Sequence, residues 1–266
     1  MLESASELEC FLEKTAYYRF SGYFREFQVD PRHGENEFVQ GTTLNELAEL
    51  IELDARLRVK LLEALTIIEL RARTAFSHQA GRVLGEKAFY LNPEYYLNVP
   101  GKVDGLIQKI ERDLKRSMLP TINRYKVGDD LSRIPIWVAI ETMTFGTLAK
   151  TSTYLKEKEV ISAAASSLNI ATTGFSDSLH AFSALRNRCA HHSQLWNRSF
   201  DIAFKVLPKE KKGAPKFSHP GSYAAIIVTG RWMKRMGYGS SWFESVVELL
   251  SENRTFEKGI LEPSMK

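Results

Sequence analysis

Thr43-Leu44-Asn45-Glu46-Leu47-Ala48-Glu49-Leu50-Ile51-Glu52-Leu53-Asp54-Ala55-Arg56-Leu57-Arg58 is the stretch that decides the fold class. Thr43 followed by Glu46 has the spacing of a capping box, in which each side chain binds the other residue's backbone N–H. Thr43, or Thr42 beside it, therefore opens a helix. From there Leu47, Leu50, Ile51, Leu57, Leu61, Leu65, Ile68, Leu70 and Ala72 recur at steps of three and four, with Asp54 and Arg58 in the same run. That period lines one face of an α-helix, whereas a strand would need alternation. The helix is expected to reach Gln79, to be ended by Gly81 and Gly85, and to line a helical core.

Working outward, helical signals dominate. Glu7 to Phe27 mixes apolar and charged residues around Tyr17-Tyr18-Arg19-Phe20-Ser21-Gly22-Tyr23-Phe24, and Val29 to Gly41, with Pro31 and Gly34, reads as a loop. Asn92-Pro93 and Val99-Pro100-Gly101 are breaks that precede a charged amphipathic helix over Lys102 to Arg116. Pro120 and Gly128-Asp129-Asp130 precede another helix, with Pro135 in its first turn and Ile136, Trp137, Ile140, Met143 and Leu148 as its apolar content. Thr151 to Ala171 has no clear period, and Gly174 then opens a helix over about 175–200. Ile202 to Leu207 reads as a short strand or extended connector, and Pro208 to Gly221 as an exposed basic loop. Helices over Ser222 to Met236 and Ser241 to Ser251 close the chain. No repeat of 20–50 residues is visible. The expectation is one all-α domain over residues 1–258, followed by a loose tail at 259–266.

A chain of 266 residues can bury a real core. No apolar run approaches the ~20 residues that span a bilayer. Met1-Leu2-Glu3-Ser4 lacks the basic and apolar regions of a signal peptide. Two cysteines, Cys10 and Cys189, make no disulfide framework. A cytoplasmic protein without a membrane partner is the expectation. A formal charge of +4 permits a nucleic-acid partner without demanding one.

Function is concentrated in Leu185-Arg186-Asn187-Arg188-Cys189-Ala190-His191-His192-Ser193-Gln194-Leu195-Trp196-Asn197-Arg198. On a straight helix of about 100° per residue, Phe175, Leu179, Phe182, Leu185, Cys189 and Trp196 form one apolar stripe. Asn187, His191, Gln194 and Arg198 fall on the opposite side. Arg186 lies near the edge of the stripe and needs its long stem to reach toward His191. The chemistry this suits is cleavage of RNA without a metal. An imidazole moves a proton to or from a ribose 2′-hydroxyl or the leaving 5′-oxygen, and Arg186 stabilises the charge growing on phosphate. Asn187 orients the imidazole or binds the phosphate. Set against this, arginines and histidines on an exposed helix are commonly plain solvated surface.

Other features are weaker. Arg188 and Arg198, the lysines Lys211 and Lys212 among Lys205, Lys209 and Lys216, and Arg231 near Lys234, Arg235 and Trp232 are candidate RNA contacts. Solubility loops and an amphipathic helix burying Trp232 explain the same residues. Tyr17 and Tyr18 suit base stacking, but aromatic residues at such spacing more often pack helices together. No metal site is expected, since Cys189 falls on the apolar stripe and no Cys-x-x-Cys pair exists. Neither the phosphate-cradling nor the dinucleotide glycine pattern occurs, so no cofactor is expected.

Arg186-Asn187-Arg188-Cys189-Ala190-His191 resembles the Arg-polar-x-x-x-His signature of HEPN ribonucleases. The longer phrase through Trp196-Asn197-Arg198 resembles the AbiD/AbiF branch of bacterial abortive-infection proteins. Tyr17 to Tyr23, Glu52-Leu53-Asp54 through Arg73, and Glu141 to Leu148 resemble other segments of that branch, in the same order. The resemblance implies a single HEPN-like helical domain with helical N- and C-terminal extensions. It also implies an endoribonuclease of phage defence, with RNA as substrate and no required metal, often completed by homodimerisation. Its toxicity would be restrained, as in toxin–antitoxin pairs, by an antitoxin or a small structured regulatory RNA. By position it makes Arg186, Asn187 and His191 the site candidates, with His192 the adjacent second histidine. A non-catalytic RNA- or partner-binding module is the alternative.

Overall fold

In a computed structural model, which describes residues 5–85 and 88–264, Thr43 caps a helix of 41 residues from Leu44 to Leu84. Both halves of the capping box form: the Glu46 N–H donates to Thr43 Oγ1 at 3.2 Å, and the Thr43 N–H donates to Glu46 Oε2 at 3.0 Å. Gly85, in the left-handed region at φ 80, ends the helix by donating its N–H to the Gly81 carbonyl. Gly81 itself lies inside the helix. A β-carbon there would stand 3.1 Å from the Trp137 ring, so this glycine permits close packing rather than a stop.

In chain order the helices are α1 (Ala5–Lys14), α2 (Tyr17–Phe24), α3 (Leu44–Leu84), α4 (Lys102–Arg116), α5 (Pro120–Tyr125), α6 (Ile136–Ala139), α7 (Phe145–Tyr154), α8 (Lys158–Ser167), α9 (Phe175–Ala190), α10 (Pro208–Lys212), α11 (Ser222–Arg235), α12 (Ser241–Ser251) and α13 (Arg254–Leu261). The fold is all-α, about 65% helical. Its one sheet among the described residues is a short antiparallel hairpin of β1 (Gln28–Asp30) and β2 (Glu35–Phe38). The hairpin occupies the segment expected as a loop.

The long helix is the scaffold. α2, α6, α8, α9, α11, α12 and α13 all pack on α3, and α7 lies along α9. Leu50, Leu57, Leu61, Leu65, Ile68 and Phe76 are buried along it, whereas Leu70 faces solvent. Small residues let α7 approach α9: a β-carbon on Gly146 would come within 3.1 Å of Ser183 Oγ, and Ser152 hydrogen-bonds Ser176 at 2.6 Å. No helix among the described residues is long and apolar enough to cross a membrane.

Two expectations need correction, and one open alternative is decided. The helix foreseen from Pro135 through Leu148 is broken, because Met143 is extended and Thr144 caps a new helix by accepting the Thr147 N–H. The segment Ile202 to Leu207 is an extended connector without strand pairing. The loose tail is not loose over 259–264. Ile260 is fully buried in α13, the Leu261 carbonyl accepts the Ser218 N–H, and Ser264 bonds Asn197. Met265 and Lys266 lie outside the described residues.

Candidate active site

α9 ends at Ala190, not near residue 200. His191 is its C-cap, and the N–H groups of His192 and Ser193 turn back to the Cys189 and Arg188 carbonyls at 3.1 and 2.8 Å. These two bonds define a Schellman end, whose pivot residue takes a left-handed conformation and is usually glycine. Here the pivot is His192, at φ 57. The sequence carries no glycine to announce this stop, so the helical period was projected past it.

The reversed chain is held from three directions. From α2, Arg19 Nη2 donates to the His192 carbonyl at 2.7 Å, and Gln194 Nε2 donates to the Gly22 carbonyl at 3.1 Å. From α3, the Asp54 carboxylate accepts the Leu195 and Trp196 N–H groups at 3.2 and 3.0 Å. From the C-terminal end, the Gly259 carbonyl accepts the Asn197 N–H at 3.0 Å, and Trp196 Nε1 donates to the Thr255 carbonyl at 3.2 Å. Trp196 stacks on Tyr23, with ring centroids 5.9 Å apart and planes within 8°.

Asp54 is the hub of this arrangement and is fully buried. It also accepts the Tyr23 hydroxyl at 2.5 Å and is ion-paired with Arg58. Burial pushes its carboxyl above the ordinary value, against the pull of Arg58, Tyr23 and the two amides. The same carboxylate and burial push the Tyr23 hydroxyl up. The sequence reading placed Asp54 and Arg58 on the long helix without a role. Their signal was an opposite-charge pair at i, i+4 within an apolar stripe, which is costly to bury unless both charges have further partners.

Arg186, Asn187, His191 and His192 are all exposed. Arg186 leans toward Glu69 of α3, at 3.9 Å from Nε to Oε2, and donates to Asn187 Oδ1 at 3.3 Å. Glu69 is itself held by Arg73, which also donates to the Ile140 carbonyl at 2.6 Å. Arg73 is thus half-buried and structural, while Arg71 is exposed. The remaining candidates are dispersed. Arg188 pairs with Asp201 at 2.9 Å and covers the Phe200 ring, and Arg198 reaches Gln194 at 3.4 Å. Arg231 pairs with Glu210 at 2.6 Å and donates to the Lys205 carbonyl. Trp232 is buried against Phe175 and Phe182. Lys211 and Lys212 are exposed on α10, away from the histidine turn in sequence and with no contact to it shown. Gln194, expected beside His191 on the polar face, instead points inward to Gly22.

Cys189 is buried beneath the site, and burial pushes its thiol up to about 12. It is therefore a small apolar residue here, not a nucleophile or metal ligand. No group of three or more histidine, cysteine or carboxylate side chains placed to hold a metal ion occurs among the described residues.

The arrangement is an exposed Arg-Asn-His-His surface at a helix end, its backbone held by groups from α2, α3 and α13. No curated protein and no solved structure matches this chain. The sequence model described as Abi-like protein matches residues 10–197, which takes in α2, α3, α9 and the turn after it. The match ends at Asn197, just past the Trp196 that closes the turn, and over that span the chain belongs to the family of Abi-like, abortive-infection proteins.

Proposed function

We propose that this chain, placed by its family in abortive-infection phage defence, acts there as a metal-independent endoribonuclease of the HEPN type. The observation that carries the reading is the helix end itself. An arginine, an amide and two histidines are exposed where contacts from α2, α3 and α13 fix the backbone, that from Asp54 fully buried, and one of the histidines occupies a left-handed pivot. A strained, over-determined backbone with solvent-facing imidazoles suits a site better than it suits plain surface.

In the proposed reaction an imidazole, that of His191 first, takes the proton from a ribose 2′-hydroxyl. The 2′-oxygen bonds to the adjacent phosphorus and the bond from phosphorus to the 5′-oxygen breaks. A second imidazole gives a proton to that 5′-oxygen. Arg186 offers its fork of donors to the phosphate oxygens as charge builds, and Asn187 holds Arg186 or the phosphate. The products are a 2′,3′-cyclic phosphate and a 5′-hydroxyl. The surface is open in a single chain, and a homodimer placing two such helix ends together would exclude water from it. A regulatory RNA or antitoxin covering the same surface would restrain it.

The test is cleavage of total RNA in excess EDTA by the purified protein and by His191→Ala, with mapping of the fragment ends. Cuts made only by the unmodified protein, with cyclic phosphate and 5′-hydroxyl ends, support the reading. Equal cleavage by both proteins overturns the assignment of the reaction to His191, and tight RNA binding with no cleavage under any condition moves the function to binding alone.

A further inference from the structure

A cleft with a volume of about 680 Å³ lies on the other side of α2 from the histidine turn. α1, α2, the hairpin and the start of α3 wall it, with Tyr17, Tyr18, Phe20, Phe24 and Phe38 supplying aromatic rings and Arg25 a cation. Tyr18 is 88% exposed and Tyr17, whose ring also meets Phe24 at 6.2 Å, is 57% exposed; the two tyrosine rings meet edge to face at 5.5 Å. Phe20 and Phe24, by contrast, pack into a row that continues to Phe38. Packing, the role favoured for aromatic residues at this spacing, holds for Phe24 and not for the exposed ring of Tyr18.

The helix between cleft and turn has two working faces. At about 100° per residue, Tyr17, Tyr18, Phe20, Ser21 and Phe24 fall on one side of α2, and Arg19, Gly22 and Tyr23 on the other. The first set lines the cleft. The second set holds the His192 carbonyl, Gln194 and Asp54. Tyr18 is thus adjacent in sequence to the arginine that grips the histidine turn, and the width of one helix separates cleft from site.

We propose that this cleft is a base-binding subsite for the RNA strand cut at the histidine turn, and the inference rests on the nuclease reading above. Exposed tyrosine rings offer stacking faces that every nucleobase can use. The Asn36 side chain and Gln28 Oε1 at the cleft can hydrogen-bond base edges, and Arg25 suits the phosphate of a flanking nucleotide. A single strand running over α2 would place one base in the cleft and a neighbouring phosphate at His191. A duplex cannot splay a base into it, so the substrate class is single-stranded or looped RNA.

The experiment uses His191→Ala as the background, so that binding is read without cleavage. Fluorescence anisotropy with single-stranded RNA 12-mers is compared for His191→Ala alone, with Tyr18→Ala and with Tyr18→Phe. Loss of a stacking face predicts about tenfold weaker binding for Tyr18→Ala and recovery for Tyr18→Phe. Photocrosslinking with 5-iodouridine RNA should also label Tyr17, Tyr18 or Phe38. Equal binding by all three proteins, with crosslinks elsewhere, overturns the subsite even when the unmodified protein cleaves RNA. A change in self-association with no change in RNA binding overturns it in favour of a second copy of the chain. Absence of RNA binding by both His191→Ala and the unmodified protein overturns it together with the nuclease reading, whereas Tyr18-dependent binding without cleavage by the unmodified protein overturns only the nuclease reading and leaves the cleft a base-binding site for RNA that is not cut.

Discussion

At His192 the chain accepts a conformation that glycine adopts freely and other L-residues adopt at a cost of roughly 1–2 kcal/mol. Three contacts keep it there: the Arg19 bond to its carbonyl, the Ser193 N–H bond to Arg188, and the amides that Asp54 receives just beyond. None of the three uses the imidazole. His192→Gly therefore removes strain from the folded chain and adds freedom to the unfolded one, two effects of similar size and opposite sign. The expected outcome in urea denaturation is stability unchanged or raised by up to about 1 kcal/mol, while any part the ring plays in cleavage is lost. A marked loss of stability would show that the imidazole itself holds the turn.

The elements show why some of this was legible in the sequence and some was not. α4 spans Lys102–Arg116 and α12 spans Ser241–Ser251, as their amphipathic periods and flanking breaks foretold. Arg186, Asn187 and His191 are each exposed, with Arg186 bonded to Asn187, and it was their residue types alone that marked them as candidates. The end of α9 was illegible for two physical reasons: its stop residue is a histidine where glycine is the usual signal, and its stop is enforced by Asp54, far away in sequence. The burial of Trp196 was foreseen from the stripe, although the residue reaches the core from a turn. What α13 contributes was hidden in a glycine. A β-carbon on Gly259 would stand 2.2 Å from Trp196 Nε1, and Trp196 is boxed in by Tyr23 and Phe27 on its faces. Gly259→Ala should cost about 1–3 kcal/mol, as overpacked sites do, and alter the near-ultraviolet circular dichroism. Unchanged stability and spectrum would mean that α13 can move off the turn without penalty.

Across the whole molecule, buried acidic protons bind α2, the segment between α3 and α4, α9 and α11 to the same pH dependence. Burial raises the Cys189 thiol to about 12 from an ordinary value near 9, and raises Tyr23, Tyr90, Tyr96 and Tyr223 as well. Above about pH 9 the unfolded chain releases protons that the folded chain keeps, so stability falls as pH rises; below that the two states match at these groups and the effect vanishes. The urea midpoint should therefore drop between pH 8 and pH 11, and a flat profile would contradict this burial. Assembly is testable on the same scale. Arg186 and His191 lie about 140° apart around α9, and Arg186 leans toward Glu69 of its own chain. If two helix ends meet in one cleft, an intact arginine from one chain can serve an intact histidine from the other. Arg186→Ala and His191→Ala, each inactive alone, should then regain cleavage when co-expressed. The regained rate should stay below about half that of the unmodified protein, because about half of the dimers formed from equal amounts are mixed. No recovery in dimers shown to be mixed would place Arg186 and His191 of a single chain in each site, and the open surface would then be closed by the RNA itself.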